Sequence, residues 1–280
     1  MESRNYDSVM ERLKRGSLAP LLFFMFRLYT AAESSLRSTF QYFKIALKSR
    51  EVHTFTYQMT RENRFHLAHL VSKITDQDIN TIFGYFEEIE QNEALRQSIS
   101  EKIKRSHFRH KKDRRSDFAC RVAFYAIIRA RKSKVVVENG MELGISSVVL
   151  CSALEKNRQE GFEGKYYGFD IDPYAGVLIK DPAYEPFAQL VIGDGMKSLA
   201  AIEEPIDFYF SDGFRTYEYE KKELNVLKDK LSEQAVVASN KAIFSTALAE
   251  LAIETNKEFS FFQEQPANHW YHGWGLGFMY

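Results

Sequence analysis

The chain has 280 residues with 38 Lys and Arg against 38 Asp and Glu, so no net field draws it to nucleic acid or anionic lipid, and neither is expected as a partner. With 45% hydrophobic and 27% charged residues it reads as a globular protein long enough to bury a full core, either one large domain or a core with a sizeable attachment. Two cysteines, Cys120 and Cys151, are too few for a disulfide framework or a four-thiolate zinc site and fit a reducing, cytoplasmic setting.

The first residues mix both charges and lead to no apolar stretch ending at a cleavage site, so no secretory signal is expected. The longest apolar run, Leu18 to Phe26, is broken by Pro20 and stopped by Arg27, short of the roughly 20 residues that cross a bilayer. It predicts a helix buried against protein, with a membrane-surface or dimer-forming helix as the alternative. Up to residue 131 apolar residues recur at spacings of three and four with almost no Gly, which predicts helices. One runs from Thr60 through Val71. Thr75-Asp76-Gln77-Asp78 would start another ahead of Ile79, Ile82, Phe83 and Phe86, and a third spans Asp117 to Ala130. Between them Lys102 to Arg115 is strongly basic. It reads as a solvated helix end and loop balanced by Glu87 to Glu93, with His107 and His110 as a surface pair, rather than as a phosphate-binding patch. Residues 1–115 are thus a helical region suited to a lid or dimer contact, and 116–280 a second domain.

After Lys134 the pattern changes. Val135-Val136-Val137 is a β-branched run, followed by Gly140 and Gly144 and a helix-like Ser146 to Leu154. Similar runs recur at Tyr166 to Ile171, Leu190 to Ile192, Ile206 to Phe210 and Ala235 to Ala238, with helical stretches between most of them. Strands alternating with helices predict an α/β fold, a doubly wound and mostly parallel sheet covered on both faces. Phe259 to Gln263 and Gly275 to Tyr280 have no helix between them and predict an antiparallel pair at the end of the sheet.

Ligands of such sheets bind beyond the carboxyl ends of the strands. Those ends read Glu138-Asn139-Gly140-Met141-Glu142-Leu143-Gly144, then Phe169-Asp170-Ile171-Asp172, Gly193-Asp194-Gly195-Met196 and Ser211-Asp212-Gly213. Gly140 would allow a tight turn and Gly144 close approach of a ligand or helix. An acid at the end of the second strand is placed to accept from ribose hydroxyls. Glu142 would repel phosphates, which argues against a nicotinamide enzyme.

On these motifs residues 115–280 resemble the class I S-adenosylmethionine-dependent methyltransferases, in particular the bacterial small-molecule subgroup related to catechol-type O-methyltransferases. The resemblance extends to His269-Trp270-Tyr271 and Gly273-Trp274-Gly275-Leu276-Gly277, which look like that subgroup's closing hairpin. It implies a seven-stranded sheet and S-adenosylmethionine as cofactor. Glu138, Gly140 and Gly144 would surround its methionine part, Asp170 its ribose, and Asp194, Gly195 and Met196 its adenine, with Asp212 and Phe214 also in contact.

Two departures from the subgroup matter. Where relatives carry Asp-Gly-x-His and Asp-Asn, this chain has Asp212-Gly213-Phe214-Arg215 and Ser239-Asn240. Arg215 cannot take a proton, and Ser239 removes a carboxylate that a hard metal would need, so no metal is expected. A sulfonium would instead be stabilised by rings, with Tyr174, Phe214, Tyr217, Trp270 and Trp274 as candidates. Tyr57, in Phe55-Thr56-Tyr57, resembles the subgroup's lid, and Arg121 and Tyr125 precede the first strand closely enough to face the site. The reading is methyl transfer to a small molecule, with Asp212 or Tyr217 as proton acceptor and an amine favoured over a phenol. One alternative is an azetidine synthase: S-adenosylmethionine closes on itself to azetidine-2-carboxylate and methylthioadenosine, with Asn139 holding the amine or carboxylate. The other is a cofactor-binding protein without turnover. A homodimer is compatible with each.

Overall fold

Val135 to Val137 alternate between the two faces of a strand and are buried on both, as expected of a central strand under helices. In the computed structural model, which describes residues 19–47, 49–51, 54–113, 117–267, 269 and 271–280, this strand is β1, Val135–Asn139. It pairs in parallel with β2 (Lys165–Asp170) and β4 (Ile206–Ser211). Parallel pairing continues outward to β3 (Ala188–Ile192) and β5 (Leu231–Ser239). An antiparallel pair, β6 (Phe259–Phe262) and β7 (Leu276–Met279), completes one edge as predicted. The order is β3-β2-β1-β4-β5-β7-β6. The chain therefore winds outward one way from β1 and then the other, and the switch point lies between β1 and β4.

The period of two in the strands sorts the core. Val136, Phe208, Phe210, Val236 and Phe278 face a layer built from α2 (Arg61–Thr75), α3 (Ile79–Glu90), α5 (Val122–Arg131) and α6 (Ile145–Gln159). Val135, Val137, Tyr209, Val237 and Met279 face α7 (Gly195–Ala200), α8 (Tyr217–Leu227) and α9 (Ala247–Glu254). A further helix, α4 (Glu93–Arg105), follows α3.

Local chemistry sets the helix ends. Thr60 accepts from the Asn63 N–H at the start of α2, and Asp78 from the Asn80 N–H at the start of α3. The predicted start at Thr75 is corrected, since Thr75 closes α2 by donating to the Val71 carbonyl. The helix predicted from Asp117 begins at Val122, after a 3-10 turn over Ala119–Arg121.

Contacts divide the chain into units of residues 1–49 and 50–280, so the boundary drawn at 115/116 falls inside the second. The first holds α1 (Ala19–Ala46), which carries Leu21, Phe23, Phe24, Met25 and Phe26 as exposed side chains. Among the described residues no helix is long and apolar enough to cross a membrane. The basic stretch is also corrected. Lys102 pairs with Asp181 at 2.7 Å, Arg105 with Glu101, and Lys112 is buried, so only part of it is solvated; residues 114–115 lie outside the described residues.

Candidate functional site

Beyond the ends of β1, β2 and β4 the backbone closes into a tight turn. Gly140 has φ +97°, and a Cβ there would stand 2.7 Å from the Asp212 carbonyl group, so only glycine lets the two strand ends approach this closely. Asp170 fastens the turn: Oδ2 accepts from the backbone N–H groups of Met141 and Glu142, both at 2.8 Å, and Oδ1 from that of Asp172 at 2.9 Å. Across from it the Asp212 N–H donates to the Asn139 carbonyl at 2.8 Å.

These residues line a cavity of about 350 Å³. Its floor holds Asn139, Gly140, Gly195 and Gly213, its acidic side Glu142, Asp170 and Asp212, and its remaining wall Thr54, Ile171, Gly193, Phe214, Arg215 and Tyr219. Burial pushes the Asp212 carboxyl up to about 6, against the opposing pull of Arg215, Arg121, the Asn240 amide and Lys241. Thr54, at φ +49°, is tied down twice: its hydroxyl donates to Glu142, and its carbonyl accepts from Lys112 Nζ at 2.6 Å. Burial pushes the Lys112 ammonium down to about 8, opposed by Glu142 and Glu51.

Behind the floor lies a buried polar row. Asn139, Ser211 and Ser239 sit side by side on the last rung of β1, β4 and β5 and point to one face. Glu223 of α8 meets them: Oε1 accepts from Asn139 Nδ2 (2.6 Å) and the Tyr209 hydroxyl (2.7 Å), Oε2 from the Ser211 hydroxyl (2.8 Å) and Lys241 Nζ (2.7 Å). The Ser239 hydroxyl donates to Glu220 at 2.5 Å. Glu220, Glu223 and Lys241 are fully buried.

A second buried carboxylate, Glu264, joins three distant segments. Oε1 accepts from the Tyr57 hydroxyl and from Cys120 Sγ; Oε2 accepts from the Tyr271 hydroxyl and the Gly275 and Trp274 N–H groups. Burial acts to raise this carboxyl, but the donors outweigh it and hold it below the usual glutamate range.

Asn139, Gly140, Asp170, Gly195, Asp212 and Phe214 therefore meet in one cavity. Glu138 lies behind the turn, fully buried, its Oε2 accepting from the Ser147 and Tyr166 hydroxyls and its Oε1 left without a partner among the described residues. Burial pushes its carboxyl up to about 7, against the donors Ser147, Tyr166 and Ser146. Gly144, buried at the start of α6, and Met196, in the first turn of α7, are not on the cavity wall. Asp194 is exposed and caps α7 through the Met196 and Lys197 N–H groups.

Several side chains proposed from the sequence stand elsewhere. Tyr217 opens α8 and gives its hydroxyl to Glu250 of α9; Tyr219, two residues on and turned about 200° around the helix, reaches the cavity instead. Tyr174 meets His107 edge-on, away from the wall. Tyr57 is buried on Glu264 and lines a separate cavity with Arg64, Glu90 and Arg96. Tyr125 faces a groove beside Glu88 and Lys156, whereas Arg121 donates to the Phe55 carbonyl at 3.2 Å. Asn139 lies on the cavity floor with one N–H of its amide given to Glu223, which fixes the orientation of the side chain. Trp270 lies outside the described residues.

Sequence reasoning missed Thr54, Ile171 and Tyr219 on the wall. Thr54 directly precedes the quoted Phe55-Thr56-Tyr57, and Ile171 follows the acid of the second strand, so adjacency was the available signal. Glu223 and Glu264 carry no local signal.

Residues 137–240 match a family model described as a methyltransferase domain. No curated protein matches the chain in sequence. Among solved structures, the O-methyltransferase TomG from Streptomyces achromogenes, involved in tomaymycin synthesis and in complex with SAM, is 14% identical over 55% of this chain and 76% of that one, with a TM-score of 0.46. The O-methyltransferase from Bacillus cereus in complex with SAH is 15% identical over 55% and 77%, with a TM-score of 0.44. The SAH-bound methyltransferase PaMTH1 of Podospora anserina is 11% identical over 81% and 98%, also at 0.44.

Proposed function

We propose that this chain, whose residues 137–240 match a methyltransferase-domain model, uses S-adenosylmethionine to methylate a small-molecule acceptor without a metal. The observation that carries the reading is the single cavity at the switch point, where Glu142, Asp170 and Asp212 line the wall with Arg215 as the one cation among the described residues. That field suits a sulfonium and opposes a pyrophosphate. S-adenosylmethionine supplies a methyl group on a cationic sulfur. The chain's own part is to hold donor and acceptor in line: the Gly140 turn gives close backbone approach, Ile171 and Phe214 offer apolar surface, and Thr54 covers the Glu142 side.

On this reading Asp212 accepts a proton from the acceptor. With its carboxyl pushed up to about 6, it is ionised at neutral pH yet basic enough to be useful. The donor set does not fit a divalent metal. Asp212 takes the Asn240 amide N–H, and the Ser239 hydroxyl is spent on Glu220, leaving one carboxylate where a hard cation wants several oxygens.

Incubation with S-adenosylmethionine, with and without a panel of small amines and phenols, tests the reading by mass spectrometry. S-adenosylhomocysteine formed only with an acceptor supports it. Methylthioadenosine formed without one would replace it by ring closure, and tight binding with neither product by a non-catalytic role. The rate should fall about tenfold per pH unit below about 6, as Asp212 gains its proton, and Asp212→Asn should lose about 10²-fold in rate together with that limb.

A further inference from the structure

Arg215 is the one cationic group on the cavity wall among the described residues, and its ion pair with Asp212 is loose. The guanidinium lies 3.9 Å from Asp212, beyond hydrogen-bond distance, and Asp212 is itself engaged by the Asn240 amide. Its carbon stands 4.5 Å from the centroid of the Trp274 ring, so the cation sits over the indole. The side chain keeps 45% of its surface exposed. Two further exposed rings belong to this neighbourhood: Phe214, adjacent in sequence, 62% exposed and edge-on to Tyr219 at 5.4 Å, and Phe244, 51% exposed and edge-on to Trp274 at 5.2 Å.

We propose that Arg215 is the anchor of the acceptor site, and that the acceptor is a planar aromatic carboxylate: its anion on the guanidinium fork, its ring among Phe214, Trp274 and Phe244. This rests on the methyl-transfer reading and names its substrate class. A guanidinium offers two parallel N–H donors, the geometry a carboxylate accepts. A singly charged carboxylate is repelled less by Glu142, Asp170 and Asp212 than a phosphate dianion would be, so it is the anion this wall disfavours least. A neutral ring would desolvate the guanidinium and leave it unpaired. Arg215, which cannot serve as a base, is thereby given a task that needs permanent charge and a flat shape.

The test uses the full chain with benzoate and its neutral isostere benzamide as probes, titrated by saturation-transfer NMR with and without S-adenosylhomocysteine. Benzoate should bind at least about tenfold more tightly than benzamide. Arg215→Gln should cost benzoate about tenfold and change benzamide by less than about twofold, with Arg215→Lys recovering only part of the loss. Equal affinities in the wild type, no benzoate binding at millimolar concentration, or a benzoate preference that survives Arg215→Gln would overturn the assignment. Should the Gln variant not fold, the wild-type ratio and the Lys variant decide. If S-adenosylhomocysteine binds and the benzoate preference is missing, this inference alone fails. If the preference depends on Arg215 and S-adenosylhomocysteine does not bind, the cofactor reading fails and the anion site stands.

Discussion

Glu223 and Glu264 both stand behind the cavity wall, Glu223 beneath Asn139 on the floor and Glu264 beside Trp274, on which Arg215 rests. Glu223 is neutralised by a fully buried ammonium, Lys241, with three neutral donors completing its lone pairs. Among the described residues no cation bonds directly to Glu264. Two phenols, a thiol and two backbone N–H groups share its charge, and Arg121 acts on this cluster through space. The first arrangement concentrates the compensation in one bond, and the second spreads it over segments up to 207 residues apart in sequence. Removing one partner should therefore hurt the first region more than the second.

The largest test of that contrast is Lys241→Met. It strands a buried carboxylate and should cost about 3–5 kcal/mol in urea unfolding, part of it recovered when Glu223→Gln is added, which removes the stranded charge and keeps an amide oxygen for the neutral donors. A loss below about 1 kcal/mol in the single variant would erase the distinction. Glu264→Gln keeps the shape, removes the charge and should cost about 2 kcal/mol: the amide oxygen still accepts from Tyr271 and the Trp274 and Gly275 N–H groups, while Tyr57 and Cys120 lose their acceptor and meet an amide NH2.

Acid sharpens the same comparison. The Glu264 carboxyl is held below its ordinary 4.5, so its stabilisation is present above that value and is lost as pH falls through the lower folded one; unfolding monitored down that range should show a smaller acid limb in Glu264→Gln. Glu138 is the counter-case, a buried carboxylate with one oxygen unpartnered. Its carboxyl is raised to about 7, so its contribution is greatest below 4.5 and declines as pH rises through 7. Glu138→Gln should flatten that decline and gain about 1 kcal/mol at pH 8, the smallest effect of the four. A variant that remains as pH-dependent as the wild type would place the raised group elsewhere.

Much of the fold could be read from the sequence because strands and helices announce themselves over short windows. Val135-Val136-Val137 before Gly140, and two terminal β runs with no helix between them, led directly to β1 and to the antiparallel edge. Strand-end glycines and acids also located the cavity, since Asn139, Gly140, Asp170 and Asp212 follow their strands by connectivity alone. What escaped depends on helix phase and on long-range meetings. Glu220 and Glu223 sit in Tyr217 to Leu227 among lysines and look solvated, yet both are fully buried because α8 turns that face to the strand ends. Tyr57 read as a lid because nothing nearby in sequence shows Glu264 waiting for its hydroxyl.

The polar rung of Asn139, Ser211 and Ser239 has one more consequence. Side chains of a strand swap faces at every step, so sliding β4 by a single position would set Phe210 or Asp212 where Ser211 belongs and leave Glu223 and Lys241 facing grease or a second negative charge. Hydrophobic strands tolerate several alignments that bury similar area; these three short side chains behave like the cuts of a key, admitting one alignment and making its neighbours expensive.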